Sequence, residues 1–150
     1  MKHAVTLLLL VVTVTIPAQE SNHFCRRSAQ PWRYYRVNTV TEYSGTVLAL
    51  HQRKCYAHQS MVVLEIRTPA GESVLVETAP PGFLDPLPAL NDRITVTGSR
   101  VPVPDPPPLI IARRITWKKR TIELRDPHGF PLWHQQERKR ERRGRRASSL

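Results

Sequence analysis

The segment Leu90–Ser99 constrains the fold more than any other stretch of this sequence, because it combines a turn with a strictly alternating strand. After an Asn-Asp turn, Ile94 and Val96 alternate with Thr95 and Thr97 at a period of two. One apolar face must pack on a core, and shorter β-like stretches lie on both sides, so we expect this strand to be internal to a small sheet. Fourteen prolines in 150 residues argue against long helices. The sequence therefore predicts an all-β domain.

Four further strands are predicted from the same signals: Val37–Leu50, Met61–Arg67, Ser73–Thr78 and Leu109–Trp117. Gly45 interrupts the first of them, and a glycine inside a strand often marks a bend that lets one strand serve two sides of a barrel. The predicted connections are a polar loop over residues 51–60, a turn over 68–72, a short helical turn over 83–90 and an extended Pro-rich segment over 101–108. This order predicts a five-stranded Greek-key barrel of the OB type, with a short helical turn between strands three and four.

Two appendages follow the barrel. Residues 121–133 form a hairpin-like extension with a turn at 126–129. From His134 the chain is basic and low in complexity, which is typical of a frayed helix or a disordered tail; we expect disorder. The predicted organisation is a signal peptide over 1–18, an arm over 19–36, the barrel with its hairpin over 37–133 and a tail over 134–150.

Four short motifs in this chain are similar to those of known proteins. Ser44-Gly45-Thr46-Val47 lies in strand one, Asp92–Gly98 in strand four, Ala112-Arg113-Arg114-Ile115 in strand five and Asp126–Trp133 in the terminal hairpin. In these motifs the chain resembles small exported bacterial OB-fold proteins of the BOF-like kind, over residues 38 to 133. The resemblance implies a periplasmic β-barrel that binds a partner, and it carries no catalytic residue with it.

The N-terminus has the pattern of a secretory signal peptide. A short positive region is followed by an apolar run over residues 4–16, and Pro17-Ala18 precedes a polar stretch. The run is shorter than the roughly 20 apolar residues that span a bilayer. We expect cleavage after Ala18 and a periplasmic or secreted mature protein without a transmembrane span; retention as an anchor is the alternative.

Cys25 and Cys55 are the two cysteines of the chain, and an exported compartment favours a disulfide between them. Two free thiols or an intermolecular bridge are the alternatives. His51, Cys55 and His58 have a spacing that suits Cu or Zn, and His23, Cys25 or His134 are candidates to complete such a site. The competing interpretation is a polar loop with incidental histidines, and we predict no cofactor.

The formal net charge of +11 favours anionic partners. Seven Lys or Arg against two Glu place +5 of that charge after residue 133, so the tail is the main candidate for contact with an anionic lipid surface or polymer. The candidate contact residues are Arg53, Lys54, Tyr56, Arg67, Arg113, Lys118, Lys119, Arg120, Arg138, Lys139, Arg140, Arg142 and Arg143.

No motif in the sequence joins a nucleophile to a base, and no glycine-rich loop could cradle a phosphate. We therefore predict a non-enzymatic exported binding module whose partner is not specified. Two alternatives stay open, a protein that handles a transition metal through the loop after strand one and a binder of single-stranded nucleic acid. An exported protein rarely meets nucleic acid, which argues against the second alternative.

Overall fold

The computed structural model describes residues 34–55, 59–101 and 106–147. A 3-10 turn over Val37–Thr39 opens this part of the chain. The strands are β1 (Val40–Cys55), β2 (Gln59–Arg67), β3 (Ser73–Glu77), β4 (Arg93–Val101), β5 (Leu109–Trp117) and β6 (Arg120–Glu123), and helix α1 spans Trp133–Ala147. The described residues include no helix that is both long and apolar enough to cross a bilayer.

Five of the strands close into a ring. The sheet order is β3-β2-β1-β4-β5-β6, and β3 also pairs with β5 in parallel, from Leu75 opposite Leu109 to Glu77 opposite Ile111. The Leu75 amide also donates to the Pro108 carbonyl, so the last proline of the Pro-rich segment extends this contact. The ring β1-β2-β3-β5-β4 confirms the predicted OB-like barrel.

The barrel closes because β1 bends and serves two neighbours. Its first half pairs with β4 and its second half with β2, and Thr46 lies opposite both Arg67 and Arg93. Gly45 stands at the bend, where an added Cβ would meet the Arg67 carbonyl oxygen at 2.7 Å. A side chain there would force the strands apart, which explains why the predicted bend carries a glycine.

The barrel is filled by aliphatic side chains from alternate positions of its strands. Val62, Leu64 and Ile66 of β2 are at most 1% exposed and pack with inward residues of the other strands. A second, smaller cluster lies on the outside of the barrel, where Tyr35 packs with the residues Val101, Leu109 and Ile111. The end of the N-terminal arm thus docks on the barrel, as its aromatic content suggests.

The first strand differs most from the prediction. The first strand starts at Val40, and it continues through residues 51–55, which pair with residues 59–63 of β2. The prediction of a polar loop over 51–60 is therefore wrong for most of that range, because cross-strand pairing in a long hairpin outweighs the polar composition. Phe83 and Leu84 both donate to the Pro80 carbonyl, so a single turn lies between strands three and four over residues 80–84, earlier than the predicted range of 83–90.

The tail also differs, because residues 133–147 form a helix and the prediction of disorder is wrong there. This segment contains neither proline nor a β-branched residue, and Gln, Glu, Lys and Arg are good helix formers. Its final turn is rich in arginine, and cations there interact favourably with the negative end of the helix dipole. Propensity and charge placement together outweigh the repulsion between like charges.

Candidate functional site

The outer side of β3 carries a buried ion pair that ties the C-terminal extension to the barrel. Glu77 follows Val76, which faces the core, so its side chain points outward. It is nevertheless only 1% exposed, because the Arg125 guanidinium lies over it with Nη2 2.9 Å from Oε1. Strands two and three form the usual ligand face of OB barrels. In this protein, Arg125 covers Glu77, the last residue of β3, on that face.

Arg125 also contacts β5 and the first residue of α1. Its Nη1 donates to the Ala112 carbonyl of β5, and its guanidinium lies 4.9 Å from the centre of the Trp133 ring. The Trp133 ring packs edge to face on Phe83 at 5.8 Å. One arginine therefore joins β3, β5 and the first residue of α1. We name the group Glu77, Arg125 and Trp133 the C-terminal latch.

A tight turn between Arg125 and Trp133 shapes the latch. The Asp126 carboxylate accepts hydrogen bonds of 2.9 Å from the amides of His128 and Phe130. Gly129 adopts φ = 91°, and an added Cβ there would come within 2.4 Å of the Tyr35 ring. The turn thus brings the N-terminal arm and the C-terminal extension into direct contact on the outside of the barrel.

Helix α1 leaves the latch and exposes its charge. The described side chains from Gln135 to Arg145 are all exposed. One contact ties the helix to the β1–β2 hairpin, where Gln59 Nε2 donates to Glu137 Oε1 at 3.4 Å. After Trp133 the helix has no apolar residue until Ala147. Its exposed surface therefore offers charge and hydrogen bonds and no apolar face.

The predicted metal residues are only partly within the described chain. His51 lies on β1, and its Nε2 is 3.7 Å from Oε2 of Glu65 on the neighbouring strand. The side chain of Cys55 and the whole of His58 lie outside the described residues, as do His23 and Cys25. His134 is the second residue of α1, and its ring packs edge to face on Trp133. Within the described segments, no three His, Cys, Asp or Glu residues could hold a metal ion together. The metal site and the Cys25–Cys55 disulfide both stay predictions.

The predicted anion contacts fall in three places. Arg53 is half-buried on the β1–β2 hairpin, while the side chain of Lys54 and the whole of Tyr56 lie outside the described part. Arg113 is half-buried on β5, where its carbonyl accepts from the amides of the latch segment. The other predicted cations are exposed, either on α1 or at one end of the barrel.

That end of the barrel carries a group of cations that sequence reasoning found only in part. Arg67 and Arg93 flank Thr46 in register, on opposite sides of β1, and both are exposed. Lys118 lies beside them, with its Nζ 3.1 Å from Asp92 Oδ1. The prediction included Arg67, Lys118 and Lys119 and missed Arg93. Only the strand register brings Arg93 beside Arg67.

The Asp92 carboxylate is fixed within this end of the barrel. It accepts a 2.9 Å hydrogen bond from the Ala89 amide, and with the Lys118 ammonium this lowers the pKa of Asp92 below its ordinary value of 3.8. At neutral pH it is therefore an anion among the cations. Asn91 precedes it with φ = 68°, which agrees with the predicted Asn-Asp turn.

Residues 39–122 match the family model for the MamS/MamX magnetosome protein family. The chain belongs to this family. The match covers the whole barrel and β6 except its last residue, and it ends before the latch arginine and α1. This is a bacterial family, in agreement with the bacterial origin that the sequence motifs suggest. No curated protein and no solved structure matches the chain.

Proposed function

We propose that this member of the MamS/MamX family is a non-enzymatic, exported OB-barrel module that is held at an anionic lipid surface by helix α1. The family's description as magnetosome proteins supports a role at the magnetosome. The signal-peptide pattern over residues 1–18 and the resemblance to exported BOF-like proteins support export. The proposal therefore includes both an exported location and attachment to an anionic lipid surface.

The observation that carries the proposal is the exposed charge of α1. Six cationic side chains with described burial are exposed on it: Arg138, Lys139, Arg140, Arg142, Arg143 and Arg145. A basic residue near an anionic membrane surface contributes about 1 kcal/mol of binding free energy. Two glutamates offset part of this, so the helix supplies several kcal/mol, enough for reversible attachment.

The chemistry of the helix predicts the mode of attachment. Because α1 has no apolar face after Trp133, it cannot bury side chains among acyl chains. Its attraction is electrostatic and is screened within about 8 Å at physiological ionic strength. We therefore expect attachment that depends on lipid charge and that weakens steeply as the salt concentration rises.

The occupied outer face of β3 supports assigning the contact to the helix. Oligonucleotide-binding OB barrels use strands two and three and the adjacent loops. Here Glu77 of β3 is covered by Arg125. A single-stranded nucleic acid would have to displace the latch to use this region, so nucleic-acid binding is the weaker candidate.

The test is co-sedimentation of the exported protein with vesicles that contain anionic or only zwitterionic phospholipid. The helix variant carries R142Q and R143Q, because Gln retains helix propensity while removing charge. The matched control carries R36Q and R100Q, two exposed arginines close to the start of the barrel.

We expect the wild-type protein to bind anionic vesicles and to be released by 1 M salt. The helix variant should bind about 30-fold more weakly, as expected for two contacts of about 1 kcal/mol each. The control should change affinity less than threefold. Equal losses in the two variants would show a non-specific charge effect, and binding to zwitterionic vesicles would contradict the electrostatic mechanism.

A further inference from the structure

An exposed leucine stands at the tip of a turn at the end of the barrel where α1 begins. Leu90 is 58% exposed, although its side chain is large and apolar. It is the second residue of the turn 89–92, in which the Asp92 amide donates to the Ala89 carbonyl at 3.1 Å. Turn chemistry at that position favours proline and gives leucine no special role. The fold itself therefore does not explain an apolar side chain at this tip.

Further hydrogen bonds hold this turn against β1. The Asp92 carboxylate accepts from the Ala89 amide at 2.9 Å. The Asn91 amide donates to the Val47 carbonyl, and the Val47 amide donates to the Asp92 carbonyl, each at 2.9 Å. The leucine is therefore presented on a fixed backbone, so little conformational freedom is lost when a partner buries it.

The exposed side chains around this tip are cationic. They belong to the residue that follows the turn and to the neighbouring β5–β6 hairpin, namely Arg93, Lys118, Lys119 and Arg120. The Lys118 ammonium lies 3.1 Å from a carboxylate oxygen of Asp92, which places the hairpin beside the turn. The carboxylates of Asp85 and Asp92 offset half of the four positive charges, so the surface stays cationic. We name Leu90 and these four cations the barrel-end patch.

The β5–β6 hairpin places two of these cations where the backbone does not favour lysine. Trp117 pairs with Arg120, so Lys118 and Lys119 form a two-residue loop, and their φ angles are 47° and 61°. Two positive φ angles at these positions define a type I′ turn, which strongly favours Asn-Gly. Both this turn and the turn of Leu90 thus depart from the residues that their geometry favours, and each departure adds charge or apolar surface to the same patch.

The barrel-end patch and the start of α1 lie at the same end of the barrel, because the segment 83–92 contacts both. Phe83 packs edge to face on Trp133, the first residue of α1, with ring centres 5.8 Å apart. Two residues later, the Asp85 carbonyl accepts a hydrogen bond of 3.2 Å from Arg120 of the patch. A surface that meets the barrel at the start of α1 therefore also meets the patch.

We infer that the barrel-end patch contacts the same anionic membrane as α1 and that Leu90 inserts among the lipid acyl chains. This inference rests on the proposed function, in which α1 supplies the first contact. The cations of the patch attract anionic headgroups, and the leucine gains free energy on leaving water. Because α1 has no apolar face, the patch supplies the component of binding that salt does not screen. It also determines which end of the barrel faces the membrane.

The variant Leu90→Trp reports insertion directly through its fluorescence. The emission of an indole ring moves to shorter wavelength when the ring leaves water, and brominated acyl chains quench a ring that has inserted. Val37→Trp is the matched control, because Val37 is 60% exposed and lies outside the patch. Both positions are exposed, so folding should be unaffected, which circular dichroism checks. Each variant is titrated with anionic and with purely zwitterionic phospholipid vesicles, and the wild-type spectrum is subtracted.

We expect L90W to show the shift and the quenching with anionic vesicles, and V37W to show neither. In co-sedimentation, L90Q should weaken binding about tenfold, as expected for the loss of one buried leucine. K118N/K119G, which suits its turn, should weaken binding about 30-fold through the loss of two charges. The control V37Q should change affinity less than threefold.

The outcomes separate this inference from the proposed function. If L90W binds anionic vesicles without a change in emission, the inference is overturned and attachment through α1 stands. If L90W shows the shift while the helix variant R142Q/R143Q binds like wild type, the patch is the contact and attachment through α1 is wrong. Equal shifts in L90W and V37W would mean adsorption without a defined orientation, which would also overturn the inference.

Discussion

The C-terminal latch should contribute a large part of the stability of this barrel, and Glu77→Gln tests its charge. The substitution preserves the shape of the side chain and an oxygen that can accept from Arg125. It removes only the negative charge, which lies opposite a guanidinium that is 1% exposed. The guanidinium then remains in the protein interior without that counter-charge.

The expected loss follows from the burial of the pair. Removing one partner of a buried ion pair typically costs about 3–5 kcal/mol, because the remaining charge is desolvated without compensation. The retained hydrogen bond places Glu77→Gln near the lower end of this range. A domain of this size has a free energy of unfolding of about 5–15 kcal/mol, so the substitution removes a substantial part of it.

Urea unfolding followed by circular dichroism and tryptophan fluorescence measures this loss. The midpoint should fall while the slope of free energy against urea stays constant, because the exposed area on unfolding is unchanged. The matched control is Glu123→Gln, which breaks the Arg114–Glu123 pair on the outer face of β5 and β6. Both partners there are more than 40% exposed, so we expect a loss below about 1 kcal/mol.

Two results would refute this reasoning. The first is a loss for Glu77→Gln that equals the loss for Glu123→Gln, which would mean that burial does not make the latch pair sensitive. The second concerns the double variant E77M/R125M, which removes both charges. It should be more stable than Glu77→Gln, because no isolated charge is left. A double variant that is less stable than the single variant would show that the contacts of Arg125 with Trp133 and Ala112 outweigh its pairing with Glu77.

Three further outcomes are expected from the same structure. Gly129→Ala should lower the free energy of unfolding by more than about 1–2 kcal/mol in urea titrations, because positive φ is unfavourable for alanine and its Cβ would clash with Tyr35; an unchanged midpoint would contradict this packing. K118N/K119G should raise the free energy of unfolding by about 1 kcal/mol in the same assay, because Asn-Gly fits the type I′ turn, and no gain would show that the lysines are not strained. Burial raises the pKa of Tyr35 above 10, although the charges of Arg113 and Arg125 offset part of the effect. The stabilisation from Tyr35 is therefore complete below pH 10 and is lost as the pH rises through its folded pKa; ultraviolet titration of Tyr35→Phe should lack one phenolate step above pH 10.

Most strand positions were predictable because the strands carry local sequence signals. Alternation at a period of two and the Asn-Asp turn placed β4 within two residues of its observed end. Gly45 indicated the bend in β1, and the turn at 126–129 fits the bridge between Arg125 and Pro131. These features depend on neighbours in the sequence, which is the information that periodicity and turn chemistry contain.

The latch and the cations around Thr46 were not predictable in the same way, because each depends on residues far apart in the chain. Glu77 and Arg125 are separated by 48 positions, and nothing in either local sequence indicates burial. Arg67 and Arg93 become neighbours only through their shared pairing with Thr46. A Lys-Lys pair is also not a recognised signal for a hairpin turn, so the β5–β6 turn and its strained lysines were missed.

The placement of the latch has a consequence for where this OB barrel can meet a partner. An OB barrel commonly binds its ligand through exposed side chains on the outside of strands two and three. In this chain Arg125 covers Glu77 on that side and also contacts Trp133, the first residue of α1. The same residue therefore covers part of β3 and helps to position the basic helix. Among the described residues, exposed cations that the latch leaves open lie on α1 and around Thr46, where Arg67 and Arg93 flank it. Partners that recognise charge over a wide surface fit this arrangement better than a ligand that needs a groove.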